Sequence, residues 1–176
     1  KDSATASNGD KLTIKQTLKY AKALATAQRA KNKQRVKAIH AKIKNTRQDL
    51  IHKFTTQLVK DNALIVVGDV KTTQFNSKKG KLAKSVYDAG WFELKRQLTY
   101  KCENAGCRFE IVSERYTTQT CSCCGDMSSS LSGRAGLRIR EWTCAMCGTW
   151  HDRDINASRN ILAVGLGRLG AGIPSL

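Results

Sequence analysis

Two Cys-x-x-Cys-Gly turns constrain this chain more than any other feature. Cys121/Cys124 and Cys144/Cys147 are separated by nineteen residues, and a glycine follows each pair. Structural Zn²⁺ takes four ligands in a tetrahedron, and two such turns supply two thiolates each. The glycine serves a tight turn where a side chain would clash or φ would be positive. The spacing matches the general zinc-ribbon pattern. The run CSCC also offers Cys123, but Cys124 keeps the two-residue spacing and precedes the glycine. The expected ligands are therefore Cys121, Cys124, Cys144 and Cys147. Four thiolates leave no coordination position open, so this zinc is expected to be structural, with no vacancy for the nearby His151. Cys102 and Cys107 lack two further ligands nearby and read as structural, a second metal there being the alternative.

Seven cysteines, four of them in paired turns, favour a reducing compartment such as the cytoplasm over a disulfide framework. Lys and Arg number 31 against 14 Asp and Glu, a formal charge of +17. That excess calls for an anionic partner, nucleic acid first. A membrane is the rival, but there is neither a long apolar run nor a signal-like N-terminus.

Residues 2–14 read as a hairpin around Asn8-Gly9. From Gln16 to Lys60 the pattern is helical, with Val36, Ile39, Ile43, Leu50, Phe54 and Leu58 in an amphipathic stripe. Leu18, Ala21, Leu24 and Ala25 form a weaker stripe, and KNKQR between them suits a break. Residues 11–60 carry fourteen Lys/Arg and one acidic residue, Asp49. So few carboxylates cannot neutralise that face by i,i+4 pairing, which points to phosphate contact rather than a merely solvated surface. Residues 63–70, ALIVVGDV, read as a strand buried on both faces. A basic loop with Lys78, Lys79 and Lys81 leads to a helix over Ser85–Leu98, a strand over Arg108–Val112 and a last helix over Asp154–Val164. Strands alternating with helices predict a mixed α/β sheet. Within the Cys span, Arg134, Arg138, Arg140 and Trp142 suit contact with nucleic acid, the alternative being that they keep the ribbon soluble.

Cleavage of a phosphodiester with two Mg²⁺ ions needs carboxylates converging from different elements. Asp154 stands where the last helix opens, at the positive end of its dipole. By physics alone it would be the N-cap, with Asp152 the other candidate cap or a partner of Arg153.

The segments LIVVGDV, SVYDAGWFELKRQLTYK, ERYTTQTCSCCG and CGTWHDRDINASRNIL resemble the C-terminal half of TnpB-type (OrfB) proteins of insertion sequences, relatives of the type V CRISPR effector nucleases. The resemblance implies a RuvC/RNase H-like α/β fold, a mixed sheet with flanking helices, and a zinc ribbon inserted before the last helix. It implies guide-RNA-directed, Mg²⁺-dependent DNA cleavage through three acidic motifs, Asp154 matching the third. The first catalytic Asp of the family has no counterpart here. Residues 1–12, KDSATASNGDKL, resemble the family segment immediately behind that Asp, so the chain is expected to lack the first strand, and Asp2 does not match. Where many members carry a Glu in the buried strand, this chain has Gly68, followed by Asp69. Asp69 would point to the opposite face from position 68 by the strand period. Glu114, closing the neighbouring strand, is the favoured substitute, with Asp69 as the alternative.

The expected organisation is a nuclease core over 1–116, an inserted ribbon over 117–150 and the core's last helix and tail over 151–176. The expected partners are DNA and guide RNA, and the 176-residue chain alone is expected not to cleave. The competing reading is a nucleic-acid-binding remnant or guide-dependent binder that does not cut. A zinc-ribbon protein working through protein contacts is a third.

Overall fold

A break in a long helical pattern needs a local cause, and here it is an asparagine. Helix α1 (Gln16–Arg29) ends just before Lys31, which takes φ +50°, and α2 (Lys33–Asp61) starts behind Asn32. The Asn32 side chain accepts from the Arg35 backbone N–H at 2.9 Å, satisfying one of the donors a helix start leaves open. This computed structural model describes residues 2–69, 90–136 and 138–167, without the side chains of 16–18, 134 and 135. The described residues fall into two units, one of 2–3, 12–63 and 90–107, the other of 4–11, 64–69 and 108–167.

The first unit is helical. Ile39 and Ile43, one turn apart on α2, bury with Ala27 of α1, and Tyr20, Leu24 and Val36 close around them. Each buried isoleucine contributes about 1.5–3 kcal/mol. Farther along, Ile51 and Thr55 of α2 are fully buried, and α2 meets α3 (Trp91–Ala105). The helix predicted over Ser85–Leu98 begins instead at Trp91, behind Gly90 at φ +72°, and runs seven residues past its expected end, positions 85–89 lying outside the described residues. The stretch TYKCENA reads as polar, yet Cys102 is buried and Lys101 reaches across to α2. The Lys101 ammonium donates to His52 O at 2.8 Å, Thr55 Oγ1 at 2.6 Å and Thr56 Oγ1 at 2.8 Å. Burial pulls its pKa below the ordinary lysine value. Gly106, at φ +67°, ends the helix, and Cys107 N bonds back to Cys102 O at 2.9 Å. Cys107 donates its thiol to Asn62 O.

The second unit begins with residues 4–11 of a hairpin, β1 (Ala4–Thr5) and β2 (Lys11–Leu12), turning at Gly9 with φ +95°. Strands β3 (Leu64–Gly68) and β4 (Arg108–Val112) pair in parallel, from Leu64 opposite Arg108 to Gly68 opposite Val112. Ile65 is buried while Leu64, Val66 and Val67 are half-buried. That is less enclosed than the all-apolar run predicts, because among the described residues β3 has one strand neighbour. Past β4 come the first cysteine turn, a 3₁₀ turn (Ser129–Leu131) and a one-turn helix α4 (Gly133–Gly136). The antiparallel pair β5 (Glu141–Thr143) and β6 (Trp150–Asp152) then leads into α5 (Arg153–Gly165). The architecture is mixed α/β with three two-stranded sheets among the described residues. No described helix is long and apolar enough to cross a membrane.

Helix α5 lies against β3, and two glycines fix its direction. A Cβ on Gly165 would stand 2.5 Å from Val66 Cγ2, and one on Gly68 would stand 3.2 Å from Ile161 Cδ1. As the strand advances from 66 to 68, the helix retreats from 165 to 161, about 6 Å in both cases. Thus α5 runs antiparallel to both strands. Gly165→Ala is expected to destabilise the protein by about 1–3 kcal/mol through overpacking against the stiff Val66, although alanine is the better helix former. Urea unfolding of Gly165→Ala alone and combined with Val66→Ala checks this, the second change restoring part of the loss.

Candidate metal centre and carboxylate site

The two cysteine turns fold identically. Gly125 N bonds to Cys121 O and Gly148 N to Cys144 O, both at 2.9 Å; Cys121 N bonds to Asp126 O at 2.8 Å and Cys144 N to Thr149 O at 2.9 Å. Gly125 and Gly148 sit at φ +80° and +70°, the positive values expected from the sequence. The turns bring the four predicted Sγ atoms within 4.8 Å of one another, and this is the one such cluster of potential metal ligands among the described residues. Cys121 to Cys147 is 3.7 Å and Cys124 to Cys144 is 3.6 Å. A tetrahedron with Zn–S bonds of about 2.3 Å has edges of about 3.8 Å, so these two pairs stand close to a tetrahedral edge and the cluster is compatible with zinc. Cys123 is outside the cluster.

The tetrad is chemically uneven. Cys121 and Cys144 are buried, Cys124 and Cys147 exposed. Burial pushes the Cys121 thiol up to about 12, while hydrogen bonding with Thr149 draws Cys147 down to about 6. His151 lies outside the four-cysteine cluster: its Nε2 is 3.0 Å from Cys121 Sγ, and its ring packs at a tilt on Trp142 with centroids 4.7 Å apart. Burial, with Arg159 nearby, lowers its pKa. It stands as an outer partner of a ligand sulfur.

The segment after the second turn is tied down residue by residue. Asp152, not Asp154, is the N-cap of α5: its Oδ1 accepts from Asp154 N and Ile155 N, both at 2.9 Å. It also faces Lys11 at 3.9 Å. Arg153 is buried and donates to Gly136 O. Asp154 is left in the first turn with a half-exposed carboxylate, 3.7 Å from Arg140 Nη1. Asn156 and Asn160, one turn apart and fully buried, donate to backbone oxygens before the first cysteine turn. Sequence reasoning missed the roles of Arg153, Asn156 and Asn160; the one signal was the pair of asparagines at i,i+4 on the apolar face of a helix.

Glu114 lies two residues beyond the end of β4. A Cβ on Gly68 would be 3.0 Å from Glu114 Oε2 and 3.1 Å from Glu114 Cβ. Gly68 thus leaves the space that the Glu114 side chain occupies. Asp69 is exposed, its backbone N–H bonded to Val112 O at 2.7 Å. Asp154 is two helical turns before Ile161, on the same face, and so stands about 10 Å along the axis towards the carboxyl ends of β3 and β4. That edge is where open α/β sheets hold their ligands. Arg138 and Arg140 are exposed; the Arg134 side chain and Lys78, Lys79 and Lys81 lie outside the described residues.

A family model described as "Probable transposase" (OrfB_IS605) matches residues 4–77, and one described as "Cas12f1-like, TNB domain" matches 91–161. A "Putative RNA-guided DNA endonuclease" of Streptomyces pristinaespiralis is 40% identical over 86% of the chain and 36% of its own length. A "Putative RNA-guided DNA endonuclease InsQ" of Escherichia coli K12 is 33% identical over 81% of the chain and 38% of its own. The chain thus spans a little over a third of the length of these relatives. Among solved structures, a "Cas12f1-sgRNA-target DNA complex" contains a chain matching at TM-score 0.65 and 16% identity, over 86% of this chain and 43% of that one.

Proposed function

The chain belongs to the TnpB-type (OrfB) family of insertion-sequence proteins, related to the type V CRISPR nucleases, and on that premise we propose that it forms the RuvC-like, zinc-ribbon-bearing portion of a transposon-encoded, RNA-guided DNA endonuclease. The observation that carries the reading is the exchange at the strand ends: Gly68 gives up its side chain, and Glu114, two residues past the neighbouring strand, fills the space.

In this reading Glu114 and Asp154 are acidic ligands of the nuclease centre, at the edge where β3 and β4 end and α5 begins. Mg²⁺ held there would stabilise charge on the attacking and leaving oxygens of an in-line displacement at phosphorus. Capping by Asp152 relieves Asp154 of a structural duty and leaves its oxygens for the ion. Arg140, 3.7 Å from the Asp154 carboxylate, would suit a backbone phosphate beside the site. The basic helices α1 and α2 are suited to nucleic-acid backbones, and base pairing with the guide would supply sequence recognition. Zinc at the four cysteines would hold the inserted ribbon in shape.

The test is guided, Mg²⁺-dependent cleavage of target DNA by the full-length protein. Glu114→Ala is expected to lower the rate at least about a hundredfold, the loss of roughly 3 kcal/mol of charge stabilisation, without weakening guide binding. Unchanged cleavage would remove Glu114 from the centre and leave Asp69 to be examined. A guide-dependent binder that does not cut is the second reading, favoured by Gly68; DNA binding without cleavage in the unaltered protein would select it.

A further inference from the structure

The turn between Glu114 and the first cysteine is held more tightly than a connection requires. Tyr116 takes φ +64°, a strained conformation for an aromatic residue. Thr117, itself buried, bonds Glu114 O twice, from its N–H at 3.3 Å and from its hydroxyl at 2.8 Å. The carbonyls of Thr117 and Thr120 then each accept from both buried amides of α5. Asn160 Nδ2 donates to them at 2.8 and 2.7 Å, and Asn156 Nδ2 at 3.3 and 2.8 Å. Asn156 Oδ1 accepts from Ser122 N at 2.9 Å. Asn160 Oδ1 is buried with no donor, a loss of about 1–3 kcal/mol accepted in exchange for two placed N–H groups.

These bonds form one continuous connection. Asn156 and Asn160 sit on the same helix as Asp154; they grip Thr117 O, and Thr117 grips the backbone of Glu114. We propose that Asn156, Asn160 and Thr117 are positioning residues that fix Glu114 against the helix bearing Asp154, setting the separation of the two acidic ligands. The proposal rests on the reading of Glu114 as a ligand given above. A strained, fully bonded turn suits that role, because interlocked buried bonds resist small displacements.

The test is Mn²⁺ binding to the full-length protein, followed by the EPR signal of the free ion, with zinc content measured in parallel. Thr117→Val removes the hydroxyl bond to Glu114 O at nearly constant shape. It is expected to weaken Mn²⁺ binding about 10–100-fold, as loss of an outer partner does, with zinc retained. Thr117→Ala is expected to behave alike, and Thr117→Ser to restore binding. Glu114→Gln is the reference, expected to weaken Mn²⁺ binding at least as much. If Glu114→Gln weakens binding and Thr117→Val does not, the positioning role is wrong while the ligand assignment stands. If Glu114→Gln changes nothing, the ligand assignment fails and this inference with it. Loss of zinc in both Thr117→Val and Thr117→Ala would assign Thr117 to the ribbon and overturn the proposal.

Discussion

Replacing Cys144 by serine is expected to release the zinc and unfold the ribbon. Cys144 is buried within the tetrad, and its partners Cys121 and Cys124 belong to the other turn, so its sulfur closes the loop between the two turns. Structural zinc contributes on the order of 10–16 kcal/mol to small sites of this kind, comparable to or above the whole stability of a typical domain. Little else encloses the ribbon: Leu131 is its one fully buried aliphatic side chain among the described residues. Metal released to a chromogenic chelator and protease sensitivity over 117–150 measure the outcome. Cys144→Ser should hold less than one zinc and be cut rapidly, whereas Cys123→Ser should match the parent on both counts. Zinc loss from Cys123→Ser would mean that the first turn had been assigned the wrong sulfur.

Asp154→Asn is expected to abolish guided cleavage, by about a thousandfold or more, and to leave the fold nearly unchanged. The first half holds if Asp154 is a metal ligand, since an amide retains shape but not charge, and several kcal/mol of stabilisation disappear with it. The second half comes from the cap. Asp152 accepts both helix-start N–H groups, so the change at Asp154 removes only a favourable charge near the dipole, worth about 0.3–1 kcal/mol. Asp152→Ala should show the reverse pattern, losing about 1 kcal/mol of stability with the 154 carboxylate intact. Cleavage rates and melting temperatures of the two variants together separate chemistry from structure. Equal loss of stability in both would contradict the capping arrangement.

What the sequence made legible was set by how local each signal is. The cysteine turns are closed by bonds within six residues, so spacing and a following glycine suffice to read them. Strand β4 and helix α5 were legible from period and propensity, within a residue at each end. The break at Asn32 was legible as a break, though its capping role needed coordinates. The extension of α3 to Ala105 was not legible, because Cys102 and Lys101 are stabilised by α2, some fifty residues away. Nor were His151, Asn156 and Asn160: a polar residue on an apolar face says that a partner exists and not which one. The contact of Glu114 over Gly68 was not legible either, because it joins residues forty-six apart in the chain.

The parallel pairing of β3 with β4, and the laying of α5 across it, also sets a timetable. About a hundred residues separate Leu64 from the end of α5. At about 5–20 residues per second on the ribosome, the apolar β3 waits some 5–20 s for the helix that covers it. A parallel neighbour cannot be supplied by a hairpin, so no nearby segment shortens the wait. During that interval the nascent chain carries an open strand edge directly behind two highly cationic helices. Slower synthesis or a destabilised α5 should therefore be felt first as aggregation during expression, and holding β3 for those seconds is work for a chaperone.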